Sequence, residues 1–136
     1  MKNSIKYWLP VIVWALVIFS FSSISTSPVS NVYWQEFTIK KTAHVIEYGI
    51  LAILLFRAFK YTRVFTSMAH IAAPIISSFY GITDEFHQSF TPGREPKVRD
   101  IFFDTLGSFI AIWFVVKILP TIKGKVGKMI EKLEIT

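Results

Sequence analysis

Three short stretches of an otherwise apolar chain hold the residues able to do chemistry. They are Lys41-Thr-Ala-His44-Val-Ile-Glu47-Tyr48, then Thr83-Asp84-Glu85-Phe86-His87-Gln88 with Thr91-Pro92-Gly93-Arg94 close behind, then Val98-Arg99-Asp100 followed by Asp104. A histidine oriented by a carboxylate can act as general base or acid near neutral pH. That makes His87, Asp84, Glu47, Asp104, His44 and Glu85 the candidate catalytic set. Lys41 and Arg94 suit a phosphate or carboxylate, the guanidinium in bidentate fashion; with Tyr48, Gln88 and Asp100 they form the candidate binding set. No serine or cysteine stands out as a nucleophile, so hydrolysis or transfer here would use activated water or a direct acid–base route. His44 and His87 with Asp84, Asp100 and Asp104 also make a nitrogen–oxygen ligand set for zinc or a similar divalent metal. Against a ready-made metal motif, there is no His-Glu-x-x-His and the two histidines lie on different helices. Cysteine is absent, which excludes disulfides and thiolate metal sites.

Position makes these residues informative. An ionisable side chain in a transmembrane helix costs roughly 2.5–3.5 kcal/mol at the centre on insertion scales, and less near the interface. At about 100° per residue, Lys41, His44, Glu47 and Tyr48 fall within an arc of about 120°. Interfacial snorkelling accounts for Lys41 and Tyr48, but not for a glutamate nearly two turns in. Asp84, His87 and Gln88 share a face, with Glu85 about 100° away. The Thr91–Arg94 stretch has the composition of a tight turn, proline second and glycine third, which would hold Arg94 near a helix end. Asp100, Asp104, Gly107 and Ala111 form one stripe, its last two residues a small-xxx-small pair suited to close helix packing. The helix macrodipole favours Asp100 and only partly explains Asp104.

The elements that must position these groups are apolar blocks. Of the 136 residues, 52% are hydrophobic and the mean hydropathy is +0.47. A bilayer core needs a helix of about 20 apolar residues. Four segments approach this: about 7–24 with Pro10 in its first turn, 41–59, 65–87 with Pro74 near its middle, and 98–119 stopped by Pro120. The first lacks a good small-residue cleavage site, so it reads as a retained helix rather than a signal peptide. The expected fold is therefore all-α: an integral membrane four-helix bundle over residues 1–120, with a basic tail at 121–136. In that tail Ile122, Val126, Met129, Ile130 and Leu133 recur near helical spacing, giving either a short amphipathic helix or a frayed end.

Lys and Arg in the short connections orient the bundle. Lys2 and Lys6, then Arg57, Lys60 and Arg63, then Lys117 and the tail lysines place both termini in the cytoplasm of a multi-pass plasma-membrane protein. Arg94, Lys97 and Arg99 on the opposite side weaken that bias. Helices two, three and four then bring their charged ends to one level in the outer half of the bilayer, converging on a polar pocket. The formal net charge of +6 sits beside apolar spans, which fits anionic lipid headgroups rather than nucleic acid. His70 and Pro74 read as structural, and Trp8, Trp34 and Trp113 as interfacial or lipid-facing aromatics.

In order and spacing, Lys41-x-x-His44-x-x-Glu47-Tyr48, Asp84-Glu85-Phe86-His87-Gln88-x-Phe90-x-Pro92-Gly93-Arg94 and Asp100-x-x-x-Asp104-Thr105-x-Gly107 resemble the VanZ-like family of small bacterial membrane proteins. The resemblance spans roughly residues 8–119. It departs at Asp104-Thr105, where the family pattern is expected to carry an asparagine. It implies a four-helix membrane domain and a link to resistance against teicoplanin-type lipoglycopeptides. The reading is an envelope protein whose outward pocket binds or modifies a lipid or envelope headgroup. Its partners would be membrane lipids and a lipid-linked envelope substrate or a lipoglycopeptide. A metal-dependent membrane hydrolase, a lipid or ion transport component and a non-enzymatic scaffold are the alternatives. Interhelical hydrogen bonds in membranes average only about 0.6 kcal/mol, which makes buried charge inefficient glue for a scaffold.

Overall fold

Long apolar stretches without internal breakers become helices, and the computed structural model, which describes residues 2–24, 33–92, 94 and 97–134, is helical almost throughout. The helices are α1 (Lys2–Ser22), α2 (Tyr33–Thr62), α3 (Ala69–Gln88), α4 (Val98–Trp113) and α5 (Gly124–Lys132). No strand occurs among the described residues. A 3-10 turn, Thr66–Met68, leads into α3 from Phe65, whose φ is 53°. Beyond Trp113 the α4 rod continues as a π-helical turn, Phe114–Ile118, and closes in a 3-10 turn, Leu119–Thr121. Pro120 sits in that final turn, the position at which a helix should stop.

Several expected boundaries move. The second helix begins at Tyr33 rather than near Lys41, because nothing between them breaks a helix and the ring pair Trp34–Phe37 (6.2 Å between centroids) supports its first turn. Lys41, His44 and Glu47 consequently lie well inside α2. The first helix begins at Lys2, so Pro10 falls within it and not in its first turn. Pro74 lies in the second turn of α3, not at its middle, since the chain before Ala69 is a 3-10 turn. The tail does form a helix, α5, with Met129 and Leu133 exposed; the side chains of Val126 and Ile130 lie outside the described residues, as does the first loop from Ser25 to Ser30.

Among the described residues, three helical stretches are long and apolar enough to cross a membrane: Ser4–Ser22, Phe37–Thr62 and Val98–Thr121. The 20-residue α3 is not among them, because two histidines, Ser77, Ser78, Asp84, Glu85 and Gln88 dilute its apolar content. The surface supports a membrane setting. Leu9, Leu16, Ile76, Phe79, Phe109 and Trp113 are all exposed, and a monomer in water rarely leaves so many large apolar side chains uncovered.

Inside, α2 is the central rod, packed against α1, α3 and α4. Tyr7 stacks on Tyr61 and Trp8 meets Phe59 edge-on, so α1 and α2 run antiparallel. Lys41 meets Asp100 and Gly49 faces Ala111, so α2 and α4 run parallel. Small side chains permit the approach: Ala52, Ala58 and Ala73 are fully buried.

Candidate functional site

Two glycines bring the polar groups together. A Cβ on Gly107 would run into the backbone of Val45, so only a hydrogen there lets α4 lie directly on α2. That approach sets Asp100 and Asp104 against Lys41 and His44. A Cβ on Gly81 would stand 3.0 Å from Asp104 Oδ2 and 3.3 Å from the Tyr48 ring, so α3 closes over the same point. The i, i+4 stripe of α4 and the first polar face of α2 thus become one interface.

Lys41 donates to Asp100 in a buried ion pair. The His44 imidazole lies between the two aspartates: Nδ1 is 2.8 Å from Asp104 Oδ1 and Nε2 is 3.9 Å from Asp100 Oδ2. On α3, Gln88 Nε2 donates to Asp84 Oδ2 at 2.9 Å. Glu85 Oε2 accepts the backbone N–H of Lys97 at 2.8 Å, tying the end of α3 to the start of α4. Arg94 is held by the expected turn, its N–H bonding to Thr91 O at 3.1 Å; Gly93 lies outside the described residues. The Arg94 guanidinium reaches α1, donating from Nη2 to Phe21 O at 2.8 Å and from Nε to Ile24 O at 3.2 Å.

Beside these pairs is a cavity of about 400 Å³. Lys41, His44, Glu47, Asp84, Gln88, Arg94 and Asp100 line it, with Ile18, Phe21 and Ile39 as its apolar wall. Asp104 lies behind His44, 1% exposed. Tyr48 is deeper still and fully buried, its ring parallel to the His44 ring at 6.4 Å. Among the described residues, buried atoms without a partner concentrate here: Glu85 Oε1, Asp104 Oδ2 and the Ser22 hydroxyl.

Two predicted residues stand apart from the cavity. His87 stacks on Phe19 of α1 (4.3 Å between ring centres), and its Nε2 is 3.0 Å from Ser23 Oγ. Glu85 faces α4 and, with His44 and Asp100, offers donor atoms that all lie within 4.8 Å of one another. The helix explains the division. From Asp84, four residues bring Gln88 back to within about 40°, whereas one residue carries Glu85 about 100° one way and three carry His87 about 60° the other.

Sequence reasoning missed Ser77 and Ser108. Both are fully buried. Ser108 Oγ bonds Ser77 Oγ at 2.9 Å and Asp104 O at 2.8 Å, and Ser77 Oγ donates to Tyr48 O at 3.1 Å. This knot joins α2, α3 and α4 beneath the acids. The available signal was spacing: Ser108 follows Asp104 by four residues and so extends the Asp100–Asp104 stripe by another turn. Helix α1 contributes pocket wall through Ile18, Phe21 and Ser22, for which no residue type gave a cue.

The VanZ/LLP1 family model matches residues 7–120. No curated protein and no solved structure was found to match the chain.

Proposed function

The chain belongs to the VanZ/LLP1 family, and from that premise we propose a plasma-membrane protein whose four long helices all span the bilayer, with both termini cytoplasmic and an extracytoplasmic pocket for the headgroup of a lipid or lipid-linked envelope molecule. The observation that carries this reading is the cavity of about 400 Å³ in which ionisable groups from α2, α3 and α4 face an apolar wall. Small-ligand sites commonly fall between about 300 and 1,000 Å³ and combine an apolar lining with a few convergent polar groups. An amphiphile presents that combination.

In this reading Lys41 and Arg94 favour an anionic headgroup, and Gln88 and Glu47 bond its neutral polar groups. His44, held in orientation by Asp104, is the group placed to exchange a proton with the bound molecule whenever no metal occupies its Nε2. Ile18, Phe21 and Ile39 take the first methylenes of its chain. The polar half of α3 belongs at the pocket, and its outward Ile76 and Phe79 meet lipid. α5 lies along the cytoplasmic surface, with its lysines toward anionic headgroups. The family likeness extends the proposal to teicoplanin-type lipoglycopeptides, which share the amphiphilic chemistry of lipid-linked envelope precursors.

The test compares a deletion strain, the wild type and Glu47→Gln/Asp84→Asn by envelope lipid analysis, teicoplanin susceptibility and native mass spectrometry of the purified proteins. The expected result is a lipid retained by the wild type, lost from the double variant, and an envelope shift common to deletion and variant. Identical envelopes and susceptibilities in all three strains, with no retained lipid, would sink the proposal.

A further inference from the structure

We infer that His44, Glu85 and Asp100 form a site for one divalent ion of the zinc class, at the edge of the cavity that His44 and Asp100 line, with a coordination position open to it. The three residues come from α2, α3 and α4, and their donor atoms lie within 4.8 Å of one another. One imidazole and two carboxylates make up a nitrogen–oxygen donor set of the kind that holds catalytic zinc with a fourth position free.

The orientation of His44 is the strongest part of the case. Its Nδ1 is engaged by Asp104 at 2.8 Å, which leaves Nε2 directed at Asp100 Oδ2 across 3.9 Å. That separation is too long for a hydrogen bond. It is a few tenths of an ångström beyond the roughly 3.4 Å between two ligands of a tetrahedral zinc bonded at about 2.1 Å. A carboxylate behind a histidine, fixing its ring so that the far nitrogen meets a metal, is the usual outer-shell arrangement of metal-bound histidine. Lys41 occupies the other oxygen of Asp100, Oδ1, and so leaves Oδ2 available.

Glu85 supplies an independent observation. It is 4% exposed; Oε2 is taken by the Lys97 N–H, and Oε1 is buried with no partner. Glu85, Asp100 and Asp104 bring three buried carboxyl groups together, and the ammonium of Lys41 is paired with Asp100. A dication would supply the charge that burial of those groups otherwise lacks. His44 and Asp100 also line the cavity, so the open position faces a bound phosphate oxygen or water.

The inference shares its cavity with the proposed headgroup site but does not need a lipid. The full-length protein, purified in detergent without chelator, is loaded separately with Zn²⁺, Mn²⁺ and Mg²⁺, dialysed and analysed for metal. The wild type should keep about one equivalent of zinc and gain thermal stability from it. Asp104→Asn should weaken zinc binding about 10- to 100-fold, and Glu85→Gln/Asp100→Asn should abolish it. Lys41→Met, which removes the competing cation and keeps all ligands, should bind zinc more tightly than the wild type. Retention below about a tenth of an equivalent by both wild type and Lys41→Met overturns the inference even if the acidic variants fail to fold. Full zinc retention by Glu85→Gln/Asp100→Asn overturns it as well. Lipid retained without zinc defeats this inference alone, and zinc retained without lipid defeats the headgroup reading alone.

Discussion

At one end of the bundle, Glu134 accepts hydrogen bonds from Lys6 at 2.8 Å, Arg57 at 3.0 Å and Tyr7 at 3.2 Å. At the other end, Lys41, Asp84, Glu85, Asp100 and Asp104 are buried among three helices. The Glu134 cluster is part-exposed, and both oxygens of its carboxylate have donors. The α2–α3–α4 cluster is buried, yet Glu85 and Asp104 each keep a buried oxygen without a partner. Arg57 Nε is the corresponding unpartnered atom at the Glu134 end. A group that only fastens a tail needs no spare bonding capacity. A group that receives a ligand does, and the buried cluster has it.

The contrast is tested most sharply where the buried charge is densest. Lys41→Met should destabilise the metal-free protein by about 3 kcal/mol, because Asp100 is then buried without its ammonium. Adding Asp100→Asn should recover part of that loss, as read from unfolding in detergent. Additive single effects would show that the pair is not coupled. Gly107→Val comes next. It should cost about 2 kcal/mol through overpacking and move α4 away from Val45. The cavity should lose its ligands while protease protection of the tail stays unchanged; loss of both would mean the two ends are not independent.

Tyr80→Phe leaves every charged group in place and keeps the ring that lies 6.4 Å from Tyr48. It removes a 2.7 Å hydrogen bond from the Tyr80 hydroxyl to Ala15 O and should cost about 1 kcal/mol without altering metal or lipid retention. A change in either would extend the site to the α1–α3 seam. The smallest effect belongs to the part-exposed end, where Glu134→Gln keeps a hydrogen-bond acceptor and should change thermal stability little, as ion pairs near the surface contribute little.

Glu134 also carries a pH signature. Its hydrogen bond from Lys6, and then that from Arg57, hold the carboxyl below the usual carboxylate range. Tail attachment should therefore be full above the ordinary carboxylate pKa and be lost as pH falls through the lowered value. Limited proteolysis of the tail across acidic pH measures this. Glu134→Gln should abolish the pH step, and a step that persists would assign it to another group.

Much of this organisation was legible in residue order. Glu47 and Asp104 were conspicuous because acids inside apolar blocks are expensive, and both lie at the cluster. The i, i+4 logic correctly grouped Asp84 with Gln88 and Asp100 with Asp104. It failed for His87, since a shared helical face about 100° wide can still meet two different neighbours, and α1 took that side of α3. Glu134 carried no cue, because nothing in its local sequence indicates that the chain returns to Lys6 and Arg57. Helix starts were missed at Tyr33 and Lys2, where polar residues continue a helix past the apolar stretch that marks a span.

Local composition dictated the helices, their apolar exteriors and the three stretches of costly charge, since hydropathy and helical period depend only on neighbours along the chain. Which charges meet was a matter of contact across helices. Gly107 against Val45 and Gly81 against Asp104 set how closely three rods approach. That spacing places Asp104 behind His44 and Glu85 beside Asp100, while His87 turns toward α1. The physical reason is that helix-to-helix distance depends on side-chain volume on both partners at once, a quantity that no single stretch of residues contains.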